Sequence, residues 1–270
     1  MVQARDENFP VALRLLPPAT RRDLLAIYGF ARLADDLGDE YRGDRRTALD
    51  WLEADLIAAI VGQATHPAVA GLTPLLREHA EAFALFRDLI SANRRDQEQT
   101  RYLTFEHLLD YCSLSANPVG RLVLGVFGVC NDDLVDWSDN VCSGLQLVEH
   151  LQDVAEDLAA GRVYLPQEDL AKFNCTDGDL AAPVASADVR RLISFEVDRA
   201  RALLASGREL VAALPWQPRV AVAGFVAGGL AALDAIAAAG FDVLAHRCRP
   251  AKTRVAFHAG HLLFRARGRR

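Results

Sequence analysis

Carboxylates recur at helical spacing in two places along the 270-residue chain. In Asp35-Asp36-Leu37-Gly38-Asp39-Glu40, Asp35 is four residues from Asp39, and Asp36 is four from Glu40. Glu149, Asp153 and Asp157 repeat the same step further on. Residues four apart share one face of an α-helix, and like charges placed there repel. A divalent cation removes that cost. Mg²⁺ takes one or two carboxylates and fills its other positions with water and phosphate oxygens, so such pairs suit bridging Mg²⁺ to a diphosphate. One motif alone also fits an ordinary solvated helix face. The second motif is interleaved with apolar Val148, Leu151 and Val154. That pattern predicts a largely buried helix, whose carboxylates need cations or hydrogen-bond partners. Two such helices predict a two-sided cage, with Asp35, Asp39, Glu149, Asp153 and Asp157 as metal ligands and Asp36 beside them.

The chemistry of such a cage is ionisation. Mg²⁺ bound to a diphosphate makes it a good leaving group. An apolar core around it can house a long hydrocarbon and the carbocation left behind. Arg32, one turn before the first motif, and Arg162 with Tyr164, just after the second, could contact diphosphate oxygens. Each also has an ordinary surface or packing reading. Phe30, Tyr102, Phe105, Tyr111 and Phe127 could stabilise a cation through their ring faces, or simply fill the core. His150, three residues before Asp153, fits a supporting partner, a proton acceptor or, more simply, a packed polar contact. Histidines and cysteines lack metal-ligand spacing, and no glycine-rich phosphate loop occurs.

The elements that must position these residues read as helices throughout, which makes the expected fold class all-α. Pro17-Pro18 and Thr20 open a helix that should run through the first acidic motif. Asp44 or Thr47 can cap a helix to about Val61. Further helices are predicted over Leu75–Asn93, from Thr104 to about Ser115, and from Pro118 to about Val129. A helix from Asp139 or Asn140 should reach Leu158, with Gly161 as its C-cap. Arg162 to Pro166 should be extended, because the residue before proline avoids helical geometry. Helices over Ser186–Leu214 and 219–239 follow, and a last one is expected from Phe241.

Composition narrows the partners. Hydrophobic residues make up 51% of the chain, enough for a large core in one domain spanning residues 1–270. The net charge of −6 argues against non-specific nucleic-acid binding. Five scattered cysteines without a Cys-x-x-Cys pair read as reduced thiols in the cytoplasm. Val220 to Gly240 nearly reaches membrane-spanning length but carries Asp234 and many small residues, so a buried core helix is expected.

Tyr28-Gly29-Phe30-Ala31-Arg32-Leu33-Ala34-Asp35-Asp36 with Asp39-Glu40 resembles the first aspartate-rich motif of squalene/phytoene synthases. Gln146-Leu147, Gln152-Asp153-Val154-Ala155-Glu156-Asp157 and Gly161-Arg162-Val163-Tyr164-Leu165-Pro166 resemble the second, in the same order and spacing. Glu7-Asn8-Phe9-Pro10-Val11-Ala12, Thr100-Arg101-Tyr102 and Ser115-Ala116-Asn117-Pro118-Val119-Gly120-Arg121 are similar to the hydroxysqualene synthase branch, as is Gln152, where the wider family usually has Arg.

The resemblance implies an isoprenoid synthase fold with a central cavity. Tyr28, Asn117, Arg121 and Gln152 would join Arg32, Arg162 and Tyr164 in binding diphosphate or substrate. Asp88 and Asp96 fall where the family has acidic residues on a cavity-lining helix. The implied reaction is Mg²⁺-dependent conversion of presqualene diphosphate into hydroxysqualene by water, without NADPH, for squalene and hopanoid synthesis. Alternatives are a head-to-head condensing enzyme and a non-catalytic relative acting in assembly or binding. Glu149 departs from the family's metal-binding Asn, and the Arg249-Pro250-Ala251-Lys252 region matches loosely. Apolar substrates make peripheral contact with the inner face of the membrane, and with sibling pathway enzymes, a further expectation.

Overall fold

A computed structural model describes residues 16–129 and 131–267. Glu7–Ala12 and Cys130 therefore lie outside the described residues. Among the described residues there is no strand; one parallel bridge joins Arg101 to Val163.

Helix α1 (Pro18–Asp35) starts on a proline at its first position, where the missing N–H costs nothing. It runs into a π-helical turn, Asp36–Glu40, closed by Tyr41 N–H donating to Asp36 O over 2.9 Å. Asp44, not Thr47, caps α2 (Arg45–Ile60); its carboxylate accepts from the amides of Arg46 and Thr47 at 3.0 and 3.2 Å. Two short helices, α3 (Pro67–Ala70) and α4 (Thr73–Glu78), precede α5 (Ala82–Asp96). The helix expected over 75–93 is thus broken around His79, whose extended backbone (φ −134°, ψ 77°) ends α4.

Thr104 caps α6 (Phe105–Ser115) by accepting from His107 N at 3.2 Å. Then come α7 (Asn117–Val126) and α8 (Asp132–Gln152). The start expected at Asp139 is wrong by about two turns. Asn131 is the cap, accepting from Leu134 N at 2.9 Å, and Asp132 and Asp133 suit the positive end of the helix. Nor does α8 reach Leu158: Asp153 leaves helical geometry (φ −109°, ψ 18°) and α9 (Val154–Ala159) follows. Gly161 ends this stretch at φ +81°, a conformation that only glycine adopts without strain. Arg162–Pro166 is extended, Val163 N donating to Thr100 O over 2.9 Å.

After α10 (Gln167–Lys172) and α11 (Asp177–Leu180) come α12 (Ala187–Ala205), capped by Ser186, and α13 (Gly207–Ala213), a single helix in expectation that breaks at Ser206. Helix α14 (Trp216–Ala238) is long and apolar enough to cross a membrane, and half of its most apolar window is buried in the protein. It packs against α13 and α15 (Lys252–Arg267) as a core helix. The last helix begins at Lys252 rather than Phe241, because Gly240 and Phe241 both have positive φ (63° and 60°) and Pro250 follows.

Two apolar clusters form. One gathers α1, α2, α4 and α5 around Phe30, Leu52, Leu56 and Phe86. The other gathers α6 and α8 with α12–α15 around Tyr102, Leu192, Val226 and Leu233. The two acidic motifs face each other where the clusters meet.

Candidate active site

A cavity of about 590 Å³ opens between the clusters. Its first wall is α1 and α5, contributing Tyr28, Arg32, Asp35, Asp39, Asn93 and Asp96. Its second is α6–α9, contributing Tyr111, Gln146, Glu149, His150, Asp153 and Asp157. Arg162 and Tyr164 close one end, and Ala31, Leu89, Ala92, Val119 and Leu145 supply an apolar lining.

The acidic stripe of the second wall is less buried than its sequence predicts. Leu147, Val148, Leu151 and Val154 are buried, but Glu149 and Asp153 are exposed and Asp157 is half-buried. The apolar face packs inward while the carboxylates look into a cavity open to solvent. The break at Asp153 does not scatter them: Asp153 N donates to Glu149 O at 3.0 Å, and Asp157 N to Asp153 O at 2.7 Å, preserving the four-residue step.

On the first wall, the π-helical turn is braced by α5. Asn93 Nδ2 donates to Asp35 Oδ1 at 3.3 Å, and Gln97 Nε2 donates to Gly38 O at 3.0 Å. A Cβ on Gly38 would overlap Asn93 Oδ1, so only glycine permits this approach. Asp35 is walled in on most sides yet open to cavity solvent. Burial, with Asp39 and Asp36 nearby, pushes its pKa up to about 6 despite the Asn93 hydrogen bond. Burial and the charges of Asp157 and Glu156 likewise raise that of Asp153.

Arg162 joins the two walls. Its Nη1 donates to Asp39 Oδ1 at 2.6 Å, while its buried Nε has no acceptor. Burial opposes the guanidinium charge, but the Asp39 hydrogen bond and the nearby acidic groups more than offset it. Asp96 accepts from Tyr111 and Tyr164 hydroxyls at 2.5 and 3.1 Å, and burial nonetheless raises its pKa to about 6. His150 stacks on Tyr164, with ring centroids 3.7 Å apart, and its Nδ1 is 3.8 Å from Asp157 Oδ2. Burial lowers its pKa, although Asp157 and Asp153 pull the other way. Among the described cysteines, Cys112, Cys142, Cys175 and Cys248 are free thiols.

Four residues expected at the site stand elsewhere. Asp36 is not on the cavity wall; Arg32, which is, holds Asp36 at 2.9 Å and Glu40 at 3.3 Å. Asn117 is buried at the start of α7, accepting from Ser143 Oγ at 2.9 Å. Arg121 is committed to Asp139 through two hydrogen bonds, of 3.0 and 2.5 Å. Gln152 donates to Cys248 O and lines a neighbouring recess with Asp153, Glu156 and Arg247. Asp88 also lies off the cavity wall, near Arg121 and Arg87. Sequence reading missed Asn93 and Gln97. The glycine inside the acidic motif was the available signal, since a close neighbour is one reason to place it there.

Among the described residues no three His, Cys, Asp or Glu converge closely enough to hold a cation unaided. The donor set still fits Mg²⁺. Carboxylates stand on both walls, two of them with raised pKa, and the free Arg162 Nε suits a phosphate oxygen. Each ion would take one or two carboxylates and complete its shell with diphosphate oxygens and water.

The helical architecture, the facing acidic motifs and the arginine between them define a synthase of the isoprenoid type. Residues 2–255 match the squalene/phytoene synthase family. A hydroxysqualene synthase from Rhodopseudomonas palustris is 36% identical over 212 residues, covering 77% of this chain and 71% of that protein. A phytoene synthase from Arthrospira platensis is 34% identical, covering 77% and 72%. The crystal structure of the squalene synthase HpnC from Alicyclobacillus acidocaldarius superposes with a TM-score of 0.81 at 43% identity, covering 88% of this chain and 90% of that one. The chain belongs to the squalene/phytoene synthase family, whose members are enzymes that process prenyl diphosphates.

Proposed function

We propose that this protein is a Mg²⁺-dependent hydroxysqualene synthase acting on presqualene diphosphate. The observation that carries the ionisation step is the pair of acidic walls joined by Arg162 and Asp39 across one cavity. Asp35 and Asp39 on one side, with Glu149, Asp153 and Asp157 on the other, would hold the ions. When bound, Mg²⁺ supplies Lewis-acid stabilisation of the departing diphosphate. Arg162 and Arg32 orient the diphosphate oxygens by charge-assisted hydrogen bonds.

The carbon–oxygen bond of presqualene diphosphate breaks, its electron pair leaving on the diphosphate. The cyclopropylcarbinyl cation rearranges against Leu89, Val119 and Leu145, in a cavity that Tyr111 and Tyr164 also line. Water adds to the cation, and its proton leaves with the diphosphate. The polar lining of Ser115, Gln146 and His150 suits water as the quenching agent, a route that needs no reductant. The reading is also supported by relatives at 35–36% identity that bear the name hydroxysqualene synthase.

A second reading is head-to-head condensation of two prenyl diphosphates, favoured by the 34% identity to a phytoene synthase. Incubation with presqualene diphosphate, or with farnesyl diphosphate, each with and without NADPH, separates them. Hydroxysqualene from presqualene diphosphate and Mg²⁺ alone is the expected product. Turnover of farnesyl diphosphate, with none of presqualene diphosphate, would establish the condensing reading instead.

A further inference from the structure

The charges of this chain are unevenly placed. After Asp242 the sequence has no Asp or Glu but eight basic residues, from Arg247 to Arg270, on a chain whose total is −6. Most of this segment is α15. Leu262 and Ala266 on its inner side are buried against the body of the protein. Its outer side carries Phe257 and Phe264, 62% and 77% exposed and two turns apart on one face. His261 lies between them, its ring parallel to that of Phe257. Arg254 and Arg265 flank this stripe and are exposed, Arg254 also reaching Asp234 Oδ2 at 3.6 Å, and Lys252 is exposed at the start of the helix.

Two bare aromatic side chains in a basic setting need an apolar partner with negative charge. A second copy of the chain does not supply it, because a two-fold contact would set this basic patch against itself. An anionic lipid surface supplies both: acyl-chain boundary for the phenylalanines and phosphate headgroups for the basic side chains. We propose that α15 lies on an anionic membrane surface, with Phe257 and Phe264 inserted at the headgroup boundary. The segment leading into α15 reinforces the assignment. Arg247, Cys248 and Arg249 line a recess of about 280 Å³ together with Asp153, which also lines the main cavity. The segment leading into α15 thus borders the acidic rim of the cavity, and apolar substrates and products reside in the bilayer.

The test is sedimentation of the full-length protein with vesicles of phosphatidylcholine alone or mixed equally with phosphatidylglycerol, at low and high salt and without substrate. The protein should bind the anionic vesicles, ignore the neutral ones and be released by salt. Phe257→Ser with Phe264→Ser, and separately Arg265→Glu, should each weaken binding about tenfold or more, with circular dichroism unchanged. Trp51→Ser on the exposed face of α2 is the control and should not matter. The proposal is overturned by absence of binding, by equal binding to neutral vesicles, or by binding that survives both α15 changes. It is also overturned if the double substitution changes the oligomeric mass in light scattering while leaving vesicle binding intact. None of these outcomes bears on the catalytic reading, which rests on other residues.

Discussion

Burial holds Asp96 partly protonated near neutrality even though Tyr111 and Tyr164 both donate to it. Its folded pKa, about 6, lies above the ordinary 3.8, so the folded protein keeps that proton over a window where the unfolded chain loses it. The contribution of Asp96 to the stability of the ligand-free protein should therefore fall as pH rises from about 4 to about 6, then level off. Asp96→Asn removes that contribution and should stabilise the protein at pH 8, on the order of 1–3 kcal/mol. Denaturant melts of both proteins across this pH range check it; a variant less stable at pH 8 would show that the carboxylate is a net stabiliser. The sequence made the main carboxylates legible, because four-residue spacing on a helix is a local property. It did not reveal that Asp36 turns to Arg32, or that Arg121 is spent on Asp139. Those partners are decided by where neighbouring helices pass.

At the scale of elements, the first motif depends on a π-helical turn that α5 clamps through Asn93 and Gln97. Gly38→Ala would push Asn93 aside, costing about 1–3 kcal/mol by overpacking and shifting Asp35 and Asp39 from their places. Adding Asn93→Ala should relieve the clash and restore part of the stability, as thermal denaturation of the two variants would report. An unperturbed Gly38→Ala protein would mean the turn adapts freely. Helix existence was readable from periodicity and caps such as Thr104 and Ser186. Helix ends were less so: Asn131 caps α8 about two turns before the expected Asp139 or Asn140, and the break at Asp153 carries no proline or glycine.

For the whole molecule, an apolar cluster on each side fixes one acidic wall, and only their meeting creates the cavity. That meeting is long-range, so pairing of the motifs could be inferred from chemistry but not from any local pattern. The same arrangement divides the candidate cation ligands between the walls, Asp35 and Asp39 on one and Glu149, Asp153 and Asp157 on the other, with Arg162 reaching Asp39 between them. Calorimetric titration of inorganic diphosphate into the protein, with Mg²⁺ and with a chelator, tests that division most directly. The account predicts binding only with Mg²⁺, weakened about tenfold or more by either Asp39→Asn or Asp153→Asn, one from each wall. Diphosphate binding that is indifferent to Mg²⁺, or to both substitutions, would contradict it.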